Sequence, residues 1–527
     1  MFWIKQLLHL IKSIVYVMKP FSILLSLVSL LFFTHCEQQI ETHLEQFPLI
    51  PIANVMEETG SAFFIKDKTV LYFDEQDEDL KRTAIVLKSN WEAQTTHSLS
   101  LNKGIPFLHS KIELVKSDFD QEEAYEINID KKAIVISASA ASGFFRALTS
   151  LNQLLRFQKL SSNPNVLPTG VIQDAPKYSY RGAMLDVARH FFSIEEVKQY
   201  IDLLALYKIN HLHLHLSDDQ GWRIEIKSWP NLSEYGGSTE VGGKSGGFYT
   251  QEEYKDLVTY AQERFITIVP EIDIPGHTNA ALASYPELNC DGKTAELYTG
   301  TEVGFSTLCI GNELTFQFLD DVIREISAIT PGDYFHIGGD ESLSTNQEDY
   351  IVFINKTQEI VEKYGKSVMG WDEIQSSDLK PKTIAQYWAD ADNALGALKK
   401  GAKILMSPAK YAYLDMQYDS LSKYGLHWAS YISIKRGYDW NPDELVEGIT
   451  NESIIGIEAP LWSETISNFE ELSYLAFPRL LGYAEIGWSK TEQREWASYE
   501  KRLIEHGVLL DSLSIKYYHS PNIPWKK

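Results

Sequence analysis

The feature that most constrains the fold is an alternation of short apolar runs with longer helical patterns, beginning after residue 180. Eight runs have the length and composition of buried strands, and most precede apolar residues at helical spacing. This alternation predicts an α/β fold, a (β/α)₈ barrel. The predicted strands are 183–187, 210–216, 267–270, 334–337, 367–370, 383–387, 403–406 and 454–458.

A chain of 527 residues is too long for one ordinary core, so a second folded unit is expected. Residues 45–175 predict a small α+β accessory domain in front of a barrel domain at 178–510. Its expected elements are strands at 69–73 and 132–137 and a helix at 143–155. The Ser/Asn/Pro/Gly-rich stretch 161–176 is the predicted linker between the two domains.

The first 36 residues have the pattern of an export segment. Three lysines precede an apolar run at 21–33, which is shorter than a membrane span. Cys36 follows this run, as in a bacterial lipoprotein signal, although residues 33–35 depart from the usual small-residue motif. We expect export to the periplasm or outer membrane of a Gram-negative-type bacterium, with a lipid on Cys36 as the membrane attachment. A cleaved signal without lipid and an uncleaved anchor are the alternatives.

The charge balance argues against nucleic acid as a partner. The net charge is −24, and such a chain repels phosphate backbones. Of three cysteines, Cys290 and Cys309 remain if Cys36 carries lipid. Exported chains form disulfides, so these two either pair or stay as two partly buried thiols.

Polar and aromatic residues recur where the predicted strands end, which is where barrel enzymes place their catalytic groups. In strand order, this set comprises Asp186, Arg189 and His190; His215, Asp218 and Asp219; Glu271, Asp273 and His277; Asp340 and Glu341; Trp371 and Asp372; Trp388; Tyr413 and Asp415; and Trp462 and Glu464.

The adjacent carboxylates Asp340 and Glu341 are the most informative pair, because they follow two glycines at a predicted strand end. Glycoside hydrolysis needs a protonated carboxyl for the leaving oxygen and negative charge near the oxocarbenium-like centre. Alternatively, the pair is an acidic helix N-terminus.

Two further sets of residues suit a sugar. Aromatic faces pack on the C–H face of a sugar ring, although each aromatic residue could equally pack at the barrel rim. Charged groups bind sugar hydroxyls, although surface ion pairs are the alternative. The aromatic set is Trp371, Trp388 and Trp462, and the charged set is Arg189, Asp415 and Glu464.

His211, His213 and His215 alternate along one strand and therefore share one face. Such a cluster could bind a metal in a metal-dependent barrel hydrolase. Further ligands are not evident, so the sequence favours histidines that bond to neighbouring side chains.

Six segments resemble glycoside hydrolase family 20, in order and over about residues 45 to 500. They are 180–192, 213–223, 270–277, 336–341, 370–373 and 459–464. The resemblance implies an exo-β-N-acetylhexosaminidase that acts on glycans with a terminal N-acetylhexosamine. In that family the substrate's 2-acetamido oxygen attacks the anomeric carbon, with net retention, and neither a metal nor another cofactor is expected.

The resemblance also implies a role for each candidate. Glu341 would be the general acid and then the general base, and Asp340 would orient the acetamido group. The implied binding residues are Tyr413 at the attacking oxygen; Trp371, Trp388 and Trp462 around the acetamido group and ring; Arg189, Asp415 and Glu464 at the hydroxyls; and Asp218 and His277 beside Glu341. A glycan-binding protein without turnover is a second alternative.

Overall fold

A computed structural model describes residues 43–104 and 110–526 of the chain. The predicted export segment and Cys36 lie outside the described residues. Within these two ranges no helix is long and apolar enough to cross a membrane.

The N-terminal part is a seven-stranded mixed sheet. The strands are β1 (Val55–Phe64), β2 (Thr69–Tyr72), β3 (Leu99–Leu101), β4 (Lys111–Lys116), β5 (Tyr125–Ile129), β6 (Ala133–Ala138) and β7 (Val166–Asp174). Their order in the sheet is β1-β7-β5-β6-β4-β2-β3. Two helices, α1 (Glu78–Gln94) and α2 (Ala141–Leu160), supply Trp91 and Phe144 to its buried core. The predicted α+β character is therefore confirmed.

The predicted linker at 161–176 is wrong, because strand β7 occupies most of it. This strand lies between β1 and β5, and Leu167 and Ile172 are buried in the sheet core. Gly170 has a structural reason to be glycine, since a Cβ there would lie 2.1 Å from the Glu57 carbonyl oxygen. The Pro/Gly composition that suggested a loop therefore reflects close packing against a neighbouring strand.

The second part is a closed barrel of eight parallel strands, so the predicted (β/α)₈ fold is confirmed. Strand β16 has the predicted bounds, and β17 runs three residues beyond the predicted end. In chain order the barrel strands are β8 (Tyr180–Asp186), β9 (His211–His215), β12 (Thr267–Glu271), β13 (Tyr334–His336), β14 (Ser367–Trp371), β15 (Ile384–Tyr387), β16 (Lys403–Met406) and β17 (Ile454–Leu461). Two short strands, β10 (Ser217–Asp218) and β11 (Gly221–Trp222), pair above the barrel.

Helices connect the barrel strands, and several carry N-terminal caps that fix where they begin. Ser193 and Glu196 form a capping box on one helix, and Thr250 and Glu253 do so on another. The helices of the barrel part are α3 (Ile194–Leu206), α4 (Asn231–Glu234), α5 (Gln251–Gln262), α6 (Asn279–Ser284), α7 (Glu313–Ile329), α8 (Gln347–Lys363), α9 (Ala391–Lys399), α10 (Ala409–Ala412), α11 (Ile434–Asp439), α12 (Phe469–Ala476), α13 (Arg479–Trp488) and α14 (Trp496–Ser512).

A buried ion cluster joins the sheet to the barrel. Glu123, in the loop before β5, accepts hydrogen bonds from Arg146 on α2 and from Arg181 on β8, each with an N–O distance of 2.7 Å. Both arginine side chains are fully buried. This carboxylate therefore fixes the two parts of the chain against each other.

The segment that leads into β1 packs against the last helices of the barrel. On α14, His506 contacts the Pro48 carbonyl oxygen at 2.7 Å, and Arg502 donates to the Leu49 carbonyl oxygen at 2.9 Å. On α13, Glu485 accepts a hydrogen bond from the Ile52 backbone N–H at 2.9 Å. The beginning and the end of the described chain are thus held together.

Candidate active site

Strand β13 leads into a sharp turn that carries the two predicted catalytic carboxylates. Gly338 and Gly339 have φ angles of 64° and 100°, and Glu341 also has a left-handed φ of 44°. A Cβ on Gly338 would lie 1.8 Å from Oδ1 of Asp273, so this position requires glycine. A left-handed glutamate costs on the order of 1–3 kcal/mol, and such strain concentrates at functional sites.

Asp340 and Glu341 lie in different surroundings despite being adjacent. Asp340 is 8% exposed, and its Oδ1 atom is buried with no hydrogen-bond partner among the described residues. The Glu341 side chain is 37% exposed. Burial and the charge of Asp340 together raise the pKa of Glu341, which favours its protonated form. The turn therefore offers a free buried acceptor beside a carboxyl whose pKa is raised.

His277 lies between these carboxylates and a buried aspartate. Its Nδ1 atom is 3.2 Å from Oδ1 of Asp218, and its Nε2 atom is 3.9 Å from Oδ2 of Asp340 and 3.8 Å from Oε2 of Glu341. Burial opposes protonation, but Asp218 and Asp273 raise the pKa of His277 well above its ordinary value. An imidazolium thus faces the carboxylate pair.

Arg189 anchors the opposite side of Asp218. Its Nη2 atom lies 2.8 Å from Oδ2 of Asp218, and its Nη1 atom lies 3.4 Å from Oδ2 of Asp186. Although burial opposes ionisation, Arg189 and His277 lower the pKa of Asp218. The guanidinium also lies 4.9 Å from the ring centroid of Trp462. Arg189 is therefore a fixed cation at the wall of the site.

Asp415 and Glu464 are the remaining charged candidates. Asp415 is 2% exposed, and neither of its carboxylate oxygens accepts a hydrogen bond from a described side chain. Burial, followed by the charge of Glu464, raises the pKa of Asp415 well above its ordinary value. Burial also raises the pKa of Glu464, against the effect of Arg189. The unpaired carboxylate of Asp415 can accept hydrogen bonds from water or from the hydroxyl groups of a ligand.

Three predicted aromatic residues form one wall. The ring centroids of Trp371 and Trp462 lie 5.7 Å apart, and Tyr413 lies 6.3 Å from Trp462. All three side chains are largely buried, in a cluster that also contains Met184 and Met416. This wall is buried and largely apolar, which suits a methyl group and the C–H face of a sugar ring.

Trp388 contacts two residues for which the sequence predicted no role, Glu373 and Trp428. Its Nε1 atom donates to the carboxylate of Glu373 at 3.1 Å, and its ring lies 6.3 Å from that of Trp428. Trp428 is 58% exposed and also lies 6.0 Å from Tyr413. Glu373 lies in one of the segments that carry the family resemblance, whereas Trp428 follows no predicted strand end and gives no such signal.

The histidines of the metal alternative do not converge on one point. His211 stacks on Tyr180 at a centroid distance of 3.8 Å, whereas His213 contacts Glu458 at 2.9 Å and His215 contacts Asp218 at 2.8 Å. Among the described residues, each group with ligand atoms close enough for a shared ion contains at most one of these three. His213 and His215 share the carboxylate of Glu271, and His211 lies apart from both, so the three histidines do not form one set of metal ligands.

Cys290 and Cys309 are joined by a disulfide, which decides between the two alternatives that the sequence left open. The bridged loop supports the site, because Ser306 donates to Oδ1 of Asp219 and accepts a hydrogen bond from the backbone N–H of Thr278. The disulfide therefore restrains a segment that lies directly behind His277.

Comparison with known proteins agrees with this geometry. The model of the glycosyl hydrolase family 20 catalytic domain matches residues 178–349 and 342–491, and that of the family's domain 2 matches residues 46–175. A β-N-acetylhexosaminidase of Cellulomonas fimi is 41% identical over 407 residues, which cover 77% of this chain and 82% of that protein.

Solved structures give the same result. A Streptomyces plicatus N-acetyl-β-hexosaminidase has a TM-score of 0.87 and 42% identity, over 92% of this chain and 99% of that one. The family 20 β-N-acetylhexosaminidase of Streptomyces coelicolor A3(2) has a TM-score of 0.86 and 41% identity, over 92% and 100% of the two chains. With the family models matched over most of its length, the chain belongs to glycosyl hydrolase family 20.

Proposed function

We propose that this glycoside hydrolase is an exo-β-N-acetylhexosaminidase, which removes terminal, non-reducing β-linked N-acetylhexosamine from glycans with net retention. The observation that carries the proposal is the pairing of a free buried acceptor on Asp340 with the Glu341 carboxyl, whose pKa is raised, beside a wall of tryptophans. One carboxylate suits an amide N–H, and the other suits a leaving oxygen.

Asp340 is proposed to bind the substrate's acetamido N–H and to stabilise the positive charge that develops on this group. The acetamido oxygen would then attack the anomeric carbon, with Tyr413 donating a hydrogen bond to it. Trp371, Trp388 and Trp462 would enclose the methyl group and the ring. Because the nucleophile belongs to the substrate, the entropy cost of bringing it to the reacting centre is largely removed.

Glu341 is proposed to protonate the leaving oxygen and then to deprotonate the water that opens the cyclic intermediate. Its partial exposure suits contact with both the leaving group and incoming water. The His277 imidazolium would stabilise the carboxylate that remains after proton donation, and Asp218 keeps this imidazolium in place.

Arg189, Asp415 and Glu464 are proposed to bind the hydroxyls of the terminal sugar. The burial and incomplete pairing of Arg189 and Asp415 support this role, since a guanidinium donates and carboxylates accept several hydrogen bonds. Charged groups that close one end of the pocket would exclude an internal sugar of a longer chain, which accounts for exo action.

The test uses p-nitrophenyl β-N-acetylglucosaminide and the corresponding β-glucoside, which has a 2-hydroxyl. We expect release from the first only, unchanged by EDTA, and strong inhibition by a thiazoline analogue of the cyclic intermediate. Equal cleavage of both substrates would overturn the substrate-assisted mechanism. Activity lost on chelation would favour the metal-dependent alternative, and binding of N-acetylglucosamine without turnover would favour a glycan-binding protein.

We also propose that the chain is exported and that Cys36 carries a lipid. The disulfide between Cys290 and Cys309 supports export, because disulfides persist in oxidising compartments. Metabolic labelling with an alkynyl fatty acid is expected to mark the wild-type chain and not the Cys36→Ser variant. Equal labelling of both chains would overturn the lipid assignment.

A further inference from the structure

Glu271 is the last residue of β12, at the C-terminal end of this barrel strand, and is fully buried. Its two carboxylate oxygens have different partners: Oε1 accepts a hydrogen bond from Nε1 of Trp371 at 3.0 Å, and Oε2 accepts one from Nδ1 of His215. Nε2 of His213 lies 3.0 Å from Oε2, and Nδ1 of His336 lies 3.1 Å from Oε1. A single carboxylate thus joins residues of β9, β12, β13 and β14.

The two hydrogen bonds lead to different parts of the site. Trp371 packs against Trp462 in the aromatic wall. His215 continues through its other ring nitrogen to Asp218 at 2.8 Å, and Asp218 in turn contacts His277 beside Glu341. Oδ2 of Asp218, which is the oxygen that contacts His215, also lies 2.8 Å from Nη2 of Arg189. Glu271 is therefore the structural junction between the aromatic wall and the charged groups.

We propose that Glu271 is a positioning residue, which holds Trp371 and the His215–Asp218 pair in register with one another for the reaction. The inference rests on the proposed function, because its role is defined by the wall and the general acid of that reaction. Glu271 itself would touch neither the sugar nor the reacting atoms.

The charge of Glu271 is part of this role. Burial opposes ionisation, but His215, His336 and His213 lower the pKa of Glu271 well below its ordinary value. Burial likewise opposes protonation of His215, but Glu271 and Asp218 raise the pKa of His215 to about 10. With both ring nitrogens facing carboxylates, His215 is an imidazolium with two N–H donors.

The Glu271→Gln substitution tests whether the carboxylate is needed to hold both Trp371 and His215. Its side chain has one acceptor oxygen and an NH₂ group that only donates, so it keeps at most one of the two N–H donors. Depending on the orientation of the amide, either the Trp371 N–H is left buried and unpaired, or Nδ1 of His215 must lose its proton to accept from the NH₂ group. Glu271→Gln therefore changes geometry and charge at the junction without changing side-chain volume.

Glu458 provides a matched control. It is also a buried barrel carboxylate, and it accepts hydrogen bonds from His213, Tyr180 and Gln386 at 2.9, 2.7 and 2.7 Å. It shares His213 with Glu271, but among its hydrogen bonds in the described structure none goes to Trp371 or His215. Glu458→Gln therefore removes a comparable buried charge without touching either hydrogen bond of the junction.

The experiment compares wild type, Glu271→Gln and Glu458→Gln by thermal unfolding, by kcat and KM on p-nitrophenyl β-N-acetylglucosaminide, and by thiazoline affinity. We expect similar losses of Tm in the two variants. For Glu271→Gln we expect kcat/KM to fall about 100-fold, with weaker thiazoline binding. For Glu458→Gln we expect kcat/KM within about fivefold of wild type.

Equal losses of kcat/KM in the two variants would overturn the inference, whereas an inactive wild-type enzyme would overturn the proposed function instead. If Glu271→Gln does not fold, Glu271→Asp keeps the charge and withdraws both carboxylate oxygens from Trp371 and His215, because its side chain is one methylene shorter. A tenfold or greater loss of thiazoline affinity in Glu271→Asp is expected. A change below threefold would overturn the inference.

Discussion

The Nε2 atom of His277 lies 3.8 Å from the Oε2 atom of Glu341. This separation is too long for a direct hydrogen bond and short enough for strong attraction between an imidazolium and a carboxylate. The His277 ring therefore favours the ionised state of Glu341, while burial and Asp340 favour the protonated state. A group that must both give and take a proton needs such opposing influences.

The role of Glu341 predicts a dependence on the leaving group. Glu341→Gln removes the proton donor, so we expect kcat/KM to fall about 1,000-fold for substrates with poor leaving groups. Activated aryl substrates, whose leaving oxygen needs little protonation, should lose much less in the glycosylation step. The measurement is a series of aryl N-acetylglucosaminides with graded leaving-group pKa. Equal losses across the series would contradict general-acid catalysis by this residue.

Asp340→Asn predicts a change in the pH profile. After burial, the charge of Asp340 is the largest cause that raises the pKa of Glu341, so its removal lowers that pKa. The general acid then loses its proton at lower pH, and the basic limb of kcat/KM moves to lower pH. The rate itself should fall on the order of 100-fold, through loss of acetamido stabilisation. A basic limb that stays in place or moves to higher pH would refute this assignment.

Glu123→Gln predicts a loss of stability that depends on pH. Burial raises the pKa of Glu123, but the charges of Arg181 and Arg146 outweigh burial and lower this pKa from 4.5 to about 2. The ionised Glu123 carboxylate therefore stabilises the folded state fully above about pH 4.5, and this stabilisation is lost as the pH falls towards 2. In urea unfolding at pH 7 we expect the variant to lose about 3 kcal/mol.

The difference in the free energy of unfolding between wild type and Glu123→Gln should be smaller at pH 3.5 than at pH 7. The control is Glu122→Gln, an exposed neighbour, which should change the free energy of unfolding by less than about 0.5 kcal/mol. The same difference in the free energy of unfolding at both pH values would show that the charge of the Glu123 carboxylate is not what stabilises the fold.

Removal of the disulfide tests the support behind His277. The bridged residues are 19 apart in sequence, so the entropy of the closed loop corresponds to about 3 kcal/mol. The Cys290→Ser/Cys309→Ser variant should show a lower Tm and reduced kcat/KM, because Ser306 contacts Asp219 and Thr278 from this loop. Unchanged kcat/KM with a lower Tm would confine the disulfide to a role in stability.

The barrel was predictable from the sequence because its strands are short apolar runs, and most of them precede residues with helical periodicity. Strand β16 has its predicted bounds. Strand β7 was missed because Pro168, Thr169 and Gly170 resemble a loop, and only the contact of Gly170 with Glu57 explains the glycine. Local composition does not reveal a close approach between strands that are distant in sequence.

The candidate site was predictable where its residues follow strand ends, as Asp340 and Glu341 do. The junction at Glu271 was not predictable, because its bonds to His215 and Trp371 span 56 and 100 residues of sequence. Trp428 was missed since it lies in a loop after β16, without periodic or motif context. The residues proposed to carry the chemistry are thus visible in the sequence, whereas their mutual contacts are not.

The contacts of His506 with Pro48 and of Arg502 with Leu49 join residues separated by 458 and 453 positions. During synthesis on the ribosome, the segment before β1, which contains Pro48 and Leu49, leaves the exit tunnel long before helix α14 is made. The surface of the barrel part against which this segment packs is therefore incomplete until translation is nearly finished. Loss of the last helix would uncover backbone carbonyl groups at the opposite end of the polypeptide, so a C-terminal truncation would make the N-terminal domain vulnerable to proteases.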